Sequence, residues 1–135
     1  ILDQFLVPLT PMVNWKKNRR AVAVLGDMLE LGIKTDEAHT ALGTAVQRLG
    51  IDFLAAFGSQ AENMVTSARN AGMDPAAAKG FNSKKDLAFW LQKLVQEGKI
   101  ESGDWFLVKG SRGMRMEEVL ELLHNTNSIF KGAGN

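Results

Sequence analysis

The sequence has no cysteine and no run of about 20 apolar residues, the length that a membrane-spanning helix requires. It therefore has no disulfide, no thiolate metal ligand and no cysteine nucleophile. The formal net charge is only +1, so no overall field attracts nucleic acid or a membrane surface. A local basic cluster of Lys16, Lys17, Arg19 and Arg20 is interpreted as a solvated run before a strand. A cytoplasmic protein without nucleic-acid or membrane partners is the expectation.

Several motifs of complete catalysts are also missing. The chain has no GxxxxGK[ST] loop for the phosphates of ATP and no GxGxxG turn for a dinucleotide. It has only two histidines, and neither a metal constellation nor a serine–histidine pairing can be read from their positions. The sequence therefore predicts no catalytic residue and no metal ligand in this chain, and it favours a binding domain.

The length and composition predict a single domain over residues 1–135, because 45% hydrophobic and 23% charged residues suit one globular core. Short apolar runs alternate with amphipathic segments. Strands are predicted at 21–25, 51–57, 77–81 and 105–109, with helices beginning near 35, 59, 84 and 115. With right-handed crossovers, this order predicts a Rossmann-like α/β fold. Its sheet is expected to be open, mostly parallel and doubly wound, with helices on both faces.

The two ends of the chain lie outside this alternation. Residues 1–7 have helical spacing but no cap, and Pro8 and Pro11 follow them. Residues 1–18 are therefore interpreted as the tail of a helix and a linker, as expected for a fragment or a processed product. Residues 125–135 show little pattern and are expected to form a flexible tail.

Helix caps are predicted from two serines that follow predicted strands. Ser59 is expected to cap the second helix, and Ser83 together with Asp86 gives a capping-box-like start to the third.

The loops after the four strands share the carboxyl edge of the predicted sheet, where open α/β sheets bind ligands. The loop after the last strand, KGSRG, is suited to an anion. Lys109 and Arg112 offer a point charge and a planar fork to a carboxylate or phosphate. Gly110 lets the backbone approach a ligand closely, and Ser111 adds a hydroxyl. The same residues also suit a solvated turn without a ligand.

The loop after the first strand, GDMLELG, offers carboxylates. Asp27 could accept from a ligand ammonium, hold a cation of the other loop, or cap a turn, and these alternatives remain open. Glu30 is either part of the site or a surface carboxylate. His39, in the first turn of the next helix, is either structural or faces the ligand, and Met28 is interpreted as a packing residue. The two loops are expected to share a small anionic ligand.

Two segments and one histidine form a recognisable set. They are RRAVAVLGDMLELG at residues 19–32, His39 seven residues later, and DWFLVKGSRGMRMEEVL at residues 104–120. Together they resemble the C-terminal domain of the Mur ligases of peptidoglycan synthesis, from about residue 1 to residue 124. The likeness is greatest to the branch of the family that adds D-alanyl-D-alanine. It implies a three-domain enzyme whose third, Rossmann-like domain brings the dipeptide.

The resemblance implies an ATP-dependent peptide ligase of cell-wall biogenesis, with a part in cell shape and cell division. The carboxylate of UDP-N-acetylmuramoyl-tripeptide would become an acyl phosphate with ATP and magnesium, and the amine of D-alanyl-D-alanine would attack it. Carried over by matching motif, one wall of the dipeptide pocket would consist of Lys109, Gly110, Ser111 and Arg112, the other of Gly26, Asp27, Met28 and Glu30, with His39 supporting it.

The sequence departs from the family in one respect. The family carries an Asp-x-Tyr-Asn-Ala-Asn-Pro motif that helps hold the nucleotide, and this sequence has no tyrosine. The motif is therefore expected just upstream of the helix whose tail is residues 1–7, and the phosphate loop and most of the ATP and magnesium sites in upstream domains of the same polypeptide. The fragment alone is expected to be inactive. The alternative is a stand-alone α/β module that binds a small anion or a protein partner. A receiver-like domain is disfavoured, because Asp27 alone does not make an acidic cluster.

Overall fold

The computed structural model describes residues 16–28 and 35–124. Strands and helices alternate along them as predicted. The strands are β1 (Ala21–Leu25), β2 (Phe53–Phe57), β3 (Ala78–Phe81) and β4 (Trp105–Lys109). The helices are α1 (Thr35–Arg48), α2 (Ala61–Asn70), α3 (Lys84–Gln96) and α4 (Glu117–His124). The expected helix tail at 1–7, most of the linker and the tail at 125–135 lie outside the described residues.

The strands form one parallel sheet in the order β3-β2-β1-β4. In its register, Val22 lies opposite Phe53 and Leu25 opposite Lys109. The chain runs outward from β1 through β2 to β3, and β4 then lies on the other side of β1. The carboxyl ends of β1 and β4 therefore flank the topological switch point, where sheets of this class have their ligand crevice.

Each face of the sheet buries its own pair of helices. Ala21, Ala23 and Leu25 pack in one core with residues of α1 and α2. Val22 and Val24, which point the other way, pack in a second core with residues of α3 and α4. All five side chains are at most 1% exposed, as expected for a strand covered on both faces. The predicted doubly wound α/β fold is confirmed.

The two predicted helix caps have different outcomes. The hydroxyl of Ser83 accepts a hydrogen bond from the N–H of Asp86 at 3.3 Å, so the predicted cap of α3 is confirmed. The predicted cap of α2 is wrong, because α2 begins at Ala61 and the preceding residue, Gln60, makes no side-chain cap. The hydroxyl of Ser59 donates instead to a carboxylate on another loop.

The basic cluster before β1 is anchored rather than simply solvated. Lys16 forms an ion pair with Asp52 at 3.0 Å. Arg19 and Arg20 donate to backbone carbonyls of the segment that precedes β4, at 3.2 and 2.8 Å. The interpretation as a solvated run is therefore incomplete, because these side chains join the segment before β1 to the segments before β2 and β4.

An ion pair joins the first turns of α3 and α4, and it predicts a pH effect. Lys84 Nζ lies 2.6 Å from Glu118 Oε1, and this hydrogen bond holds the pKa of Glu118 below its ordinary value. Because the pKa is lowered in the folded state, the stabilisation is present above the unfolded pKa and is lost as the pH falls through the folded one. In urea titrations between about pH 7 and pH 3, Glu118→Gln should therefore lose less stability than the wild type.

Matched variants separate this ion pair from general acid unfolding. Lys84→Met should remove most of the pH dependence that Glu118→Gln removes, because Lys84 is the main cause of the lowered pKa and Arg115, 3.6 Å from Glu118, contributes less. Glu121→Gln, on the same helix, leaves the Lys84–Glu118 pair in place and is the control. A Glu118→Gln curve parallel to that of the wild type would contradict the assignment.

Candidate functional site

The loops that follow β1 and β4 are joined by backbone hydrogen bonds at the switch point. The N–H of Gly26 donates to the carbonyl of Lys109 at 2.8 Å, and the N–H of Ser111 donates to the carbonyl of Asp27 at 2.8 Å. These two bonds continue the β1–β4 pairing beyond the ends of the strands. The two loops therefore lie side by side on the carboxyl edge, which is where a shared ligand would require them to be.

Gly26 and Gly110 allow this contact because neither has a side chain. A Cβ on Gly110 would lie 3.3 Å from the Cα of Gly26 and 2.7 Å from the Cγ of Met116. A Cβ on Gly26 would lie 2.8 Å from the Sδ of Met116. A side chain at either position would press on Met116, and one on Gly110 would also press on the backbone of Gly26. Gly113 differs, because nothing lies within 4 Å of the position that its Cβ would take.

The carboxylate of Asp27 is buried, with the residue 5% exposed, and it receives three hydrogen bonds. The N–H and hydroxyl of Ser59 donate to Oδ2 at 3.0 and 2.8 Å, and the N–H of Gln60 donates to Oδ1 at 2.9 Å. Of the three roles left open by the sequence, the geometry favours the capping of a turn. The Asp27 carboxylate caps the turn that leads from β2 into α2. Direct contact between this carboxylate and a ligand would have to compete with these donors.

Gly58 makes room for this carboxylate. Its φ is +110°, a conformation that favours glycine, and a Cβ there would lie 2.7 Å from Oδ1 of Asp27. The turn between β2 and α2 is therefore shaped around the side chain of Asp27.

His39 supports the first loop from inside the core, where it is 0% exposed. Its Nε2 accepts a hydrogen bond from the N–H of Met28 at 2.9 Å, so the ring proton lies on Nδ1, which donates to the carbonyl of Thr35 at 2.7 Å. Both ring nitrogens are thus used within the fold, and the geometry favours the structural reading of this histidine. The side chain of Met28 is 6% exposed and belongs to the core shared with α1 and α2.

The cationic residues of the second loop face solvent at the edge of the sheet. Lys109, the last residue of β4, and Arg112, the first of a 3₁₀ turn at Arg112–Met114, are both exposed. Ser111 between them is 3% exposed, and its N–H holds the first loop. Two exposed cations beside a closely packed pair of loops can bind a small carboxylate. Glu30 lies outside the described residues.

The loop after the second strand, which contains Gly58 and Ser59, was expected on the carboxyl edge, but its contact with Asp27 was not predicted and Gln60 was missed. The available signal was that a glycine and a serine follow a buried strand on the edge that also carries Asp27. No local pattern indicates that a carboxylate 32 residues earlier will cap this turn.

Within residues 16–28 and 35–124, no group of three or more histidine, aspartate or glutamate side chains is placed to hold a metal ion. The helices of the same residues include none that is long and apolar enough to cross a bilayer.

The fold and the paired loops define a doubly wound α/β domain with two loops joined at its switch point. The family model described as Mur ligase, glutamate ligase domain, matches residues 9–112, and the chain belongs to this family. The family resemblance drawn from the two loop motifs is therefore confirmed.

The most informative relatives are long enzymes of which this chain matches one part. It is 32% identical over 107 residues to the UDP-N-acetylmuramoyl-tripeptide–D-alanyl-D-alanine ligase of Escherichia coli (strain K12), covering 79% of this chain and 22% of that protein. Among solved structures, MurF from Acinetobacter baumannii aligns with a TM-score of 0.69 and 30% identity, over 80% of this chain and 23% of that one. MurF from Thermotoga maritima, solved in complex with ADP, aligns with a TM-score of 0.62 and 26% identity, over 85% and 23%.

The chain thus spans about a fifth of the length of the curated relatives it matches.

Proposed function

We propose that this chain is the C-terminal, dipeptide-binding domain of an ATP-dependent ligase. The ligase joins D-alanyl-D-alanine to UDP-N-acetylmuramoyl-tripeptide in cytoplasmic peptidoglycan synthesis. The observation that carries the proposal is the junction of the two family loops at the switch point, with exposed Lys109 and Arg112 beside it. The likeness to the Escherichia coli ligase, which is named for D-alanyl-D-alanine, supports the choice of dipeptide.

In the proposed site, the cations of one loop bind the carboxylate of the dipeptide. Lys109 supplies a point charge and Arg112 a planar pair of donors, while Gly110 and Ser111 form the floor between them. The opposite wall consists of Gly26, Asp27, Met28 and Glu30, and His39 supports it. In this wall the Asp27 side chain serves as a cap and His39 holds a main-chain N–H, so their contribution is to shape the wall.

ATP and magnesium, which activate the acceptor carboxylate in this family, are assigned to the upstream domains. The described residues do not fit a magnesium ion, since they hold no suitable cluster of ligands, and the sequence has no phosphate loop. The work of this chain is to bind the dipeptide and orient its amine. Fixing an amine near an activated carboxylate replaces an encounter in solution by a reaction within one complex.

The test is Lys109→Met in the full-length protein, with dipeptide, ATP and nucleotide-tripeptide titrated separately. Loss of one charged hydrogen bond should raise the KM for D-alanyl-D-alanine about tenfold. The KM values for ATP and the nucleotide-tripeptide should change less than about twofold, because those ligands are assigned to other domains.

Lys93→Met is the matched control, since Lys93 is an exposed lysine in the last turn of α3, whereas both loops lie at the carboxyl edge of the sheet. It should leave all three KM values unchanged. If Lys109→Met behaves like Lys93→Met, or raises the three KM values equally, the assignment of Lys109 to the dipeptide is wrong. If the full-length protein forms no product that depends on D-alanyl-D-alanine, the ligase proposal fails and the stand-alone binding module is preferred.

A further inference from the structure

The start of α2 lies outside the proposed site, yet it holds one wall of that site. The Asp27 carboxylate receives its three hydrogen bonds from Ser59 and Gln60, at 2.8 to 3.0 Å. The carbonyl of Asp27 in turn accepts from the N–H of Ser111 at 2.8 Å. A displacement of Asp27 would therefore move both loops, because its side chain is tied to α2 and its main chain to the loop after β4.

The same turn of α2 is also tied to α1. Gln60 Nε2 donates to Asp36 Oδ1 at 2.7 Å. Asn63 Nδ2 donates to the carbonyl of Asp36 at 2.8 Å and to Gln60 Oε1 at 3.0 Å. His39 on α1 also accepts the N–H of Met28 in the loop after β1. This loop is therefore held both by α1 and by the turn before α2, and Gln60 joins these two elements.

We propose that Ser59 and Gln60 are positioning residues of the dipeptide site and act through Asp27 without touching the ligand. This inference rests on the proposed function. The donors to Asp27 lie in the turn directly before α2, where the positive end of the helix dipole also favours a carboxylate. A wall fixed in this way leaves less of the site to be ordered when the ligand binds, so loosening it weakens ligand binding first.

The first test compares two serines in the full-length ligase. Both follow a strand of the same sheet and precede a helix, but Ser59 bonds to Asp27 whereas Ser83 caps its own helix. Ser59→Ala should raise the KM for D-alanyl-D-alanine about fivefold, the effect of one hydrogen bond, with kcat changed less than about twofold. Ser83→Ala should leave this KM unchanged. Ser59→Thr keeps the hydroxyl, so its KM should be close to that of the wild type.

The second test exchanges the polar partners of Gln60. Gln60→Glu sets a carboxylate against that of Asp36 and should raise the KM for the dipeptide about tenfold. Adding Asp36→Asn returns an N–H donor to the pair and should bring the KM back to within about twofold of the wild type. Thermal unfolding of each variant is measured in parallel, and the KM changes should not follow the changes in Tm.

Several results would overturn the positioning role. One is an unchanged KM for the dipeptide in Ser59→Ala, and another is a rise in Ser83→Ala equal to that in Ser59→Ala. The others are a KM in Ser59→Thr as high as in Ser59→Ala, or a KM in Gln60→Glu/Asp36→Asn as high as in Gln60→Glu. These results concern variants of an enzyme that uses the dipeptide. A wild-type enzyme that forms no dipeptide-dependent product would instead overturn the proposed function.

Discussion

Gly43→Ala should destabilise the domain by about 3 kcal/mol, although alanine is normally the better helix former. Gly43 lies buried in α1 where this helix packs on α2. A Cβ there would lie 2.3 Å from the carbonyl oxygen of Met64 and 2.0 Å from the Oγ of Ser67. Atoms cannot approach so closely, so the two helices must separate and lose packing along their whole contact.

Urea unfolding of the single and double variants measures this effect. Ser67→Ala removes the hydroxyl contact but leaves the Met64 carbonyl, which is backbone, so Gly43→Ala/Ser67→Ala should remain strongly destabilised. Gly113→Ala is the control, with nothing within 4 Å of its new methyl group, and should stay within about 0.5 kcal/mol of the wild type. A Gly43→Ala variant as stable as the wild type would show that α1 and α2 do not pack this closely.

The close helix contact at Gly43 illustrates what the sequence alone does not reveal. The elements themselves are locally encoded, because a strand buried on both faces must be apolar throughout, as AVAVL is, and each helix repeats its apolar residues at helical spacing. A glycine inside a helix carries no such signal. From the sequence alone, Gly43 is only a weak helix former. Its role follows from the structure, in which the carbonyl of Met64 on α2 occupies the space that a Cβ would need.

The candidate site shows the same division between local and distant causes. The carboxyl-edge position of both loops follows from the alternation of strands and helices, and so does the expectation that they meet. The role of Asp27 does not, since its partners Ser59 and Gln60 are 32 and 33 residues away, in the turn between β2 and α2. His39 likewise could be assigned to the fold only once the Met28 N–H was found at its Nε2.

Met116 lies over both loop glycines, and this arrangement gives the largest expected effect on activity. Gly110→Ala should lower kcat/KM for D-alanyl-D-alanine about a hundredfold in the full-length ligase, whereas Gly113→Ala should change it less than about twofold. The new methyl group would lie 2.7 Å from the Cγ of Met116 and 3.3 Å from the Cα of Gly26. The buried Met116 side chain must then move and the Gly26 backbone must shift by a few tenths of an ångström, which displaces the N–H of Ser111 and the cations on either side of it.

Gly26→Ala supplies an independent test of the same contact, because its methyl group would meet Met116 from the other loop, 2.8 Å from Sδ. Both variants should lose dipeptide-dependent turnover while keeping nearly normal KM values for ATP. Overpacking should also cost each of them about 1–3 kcal/mol of folding stability, so assays belong well below the transition temperature that circular dichroism gives for each. If Gly110→Ala proves no worse than Gly113→Ala, the two loops do not act as one site, and the exposed cations of the second loop must bind their ligand without the first.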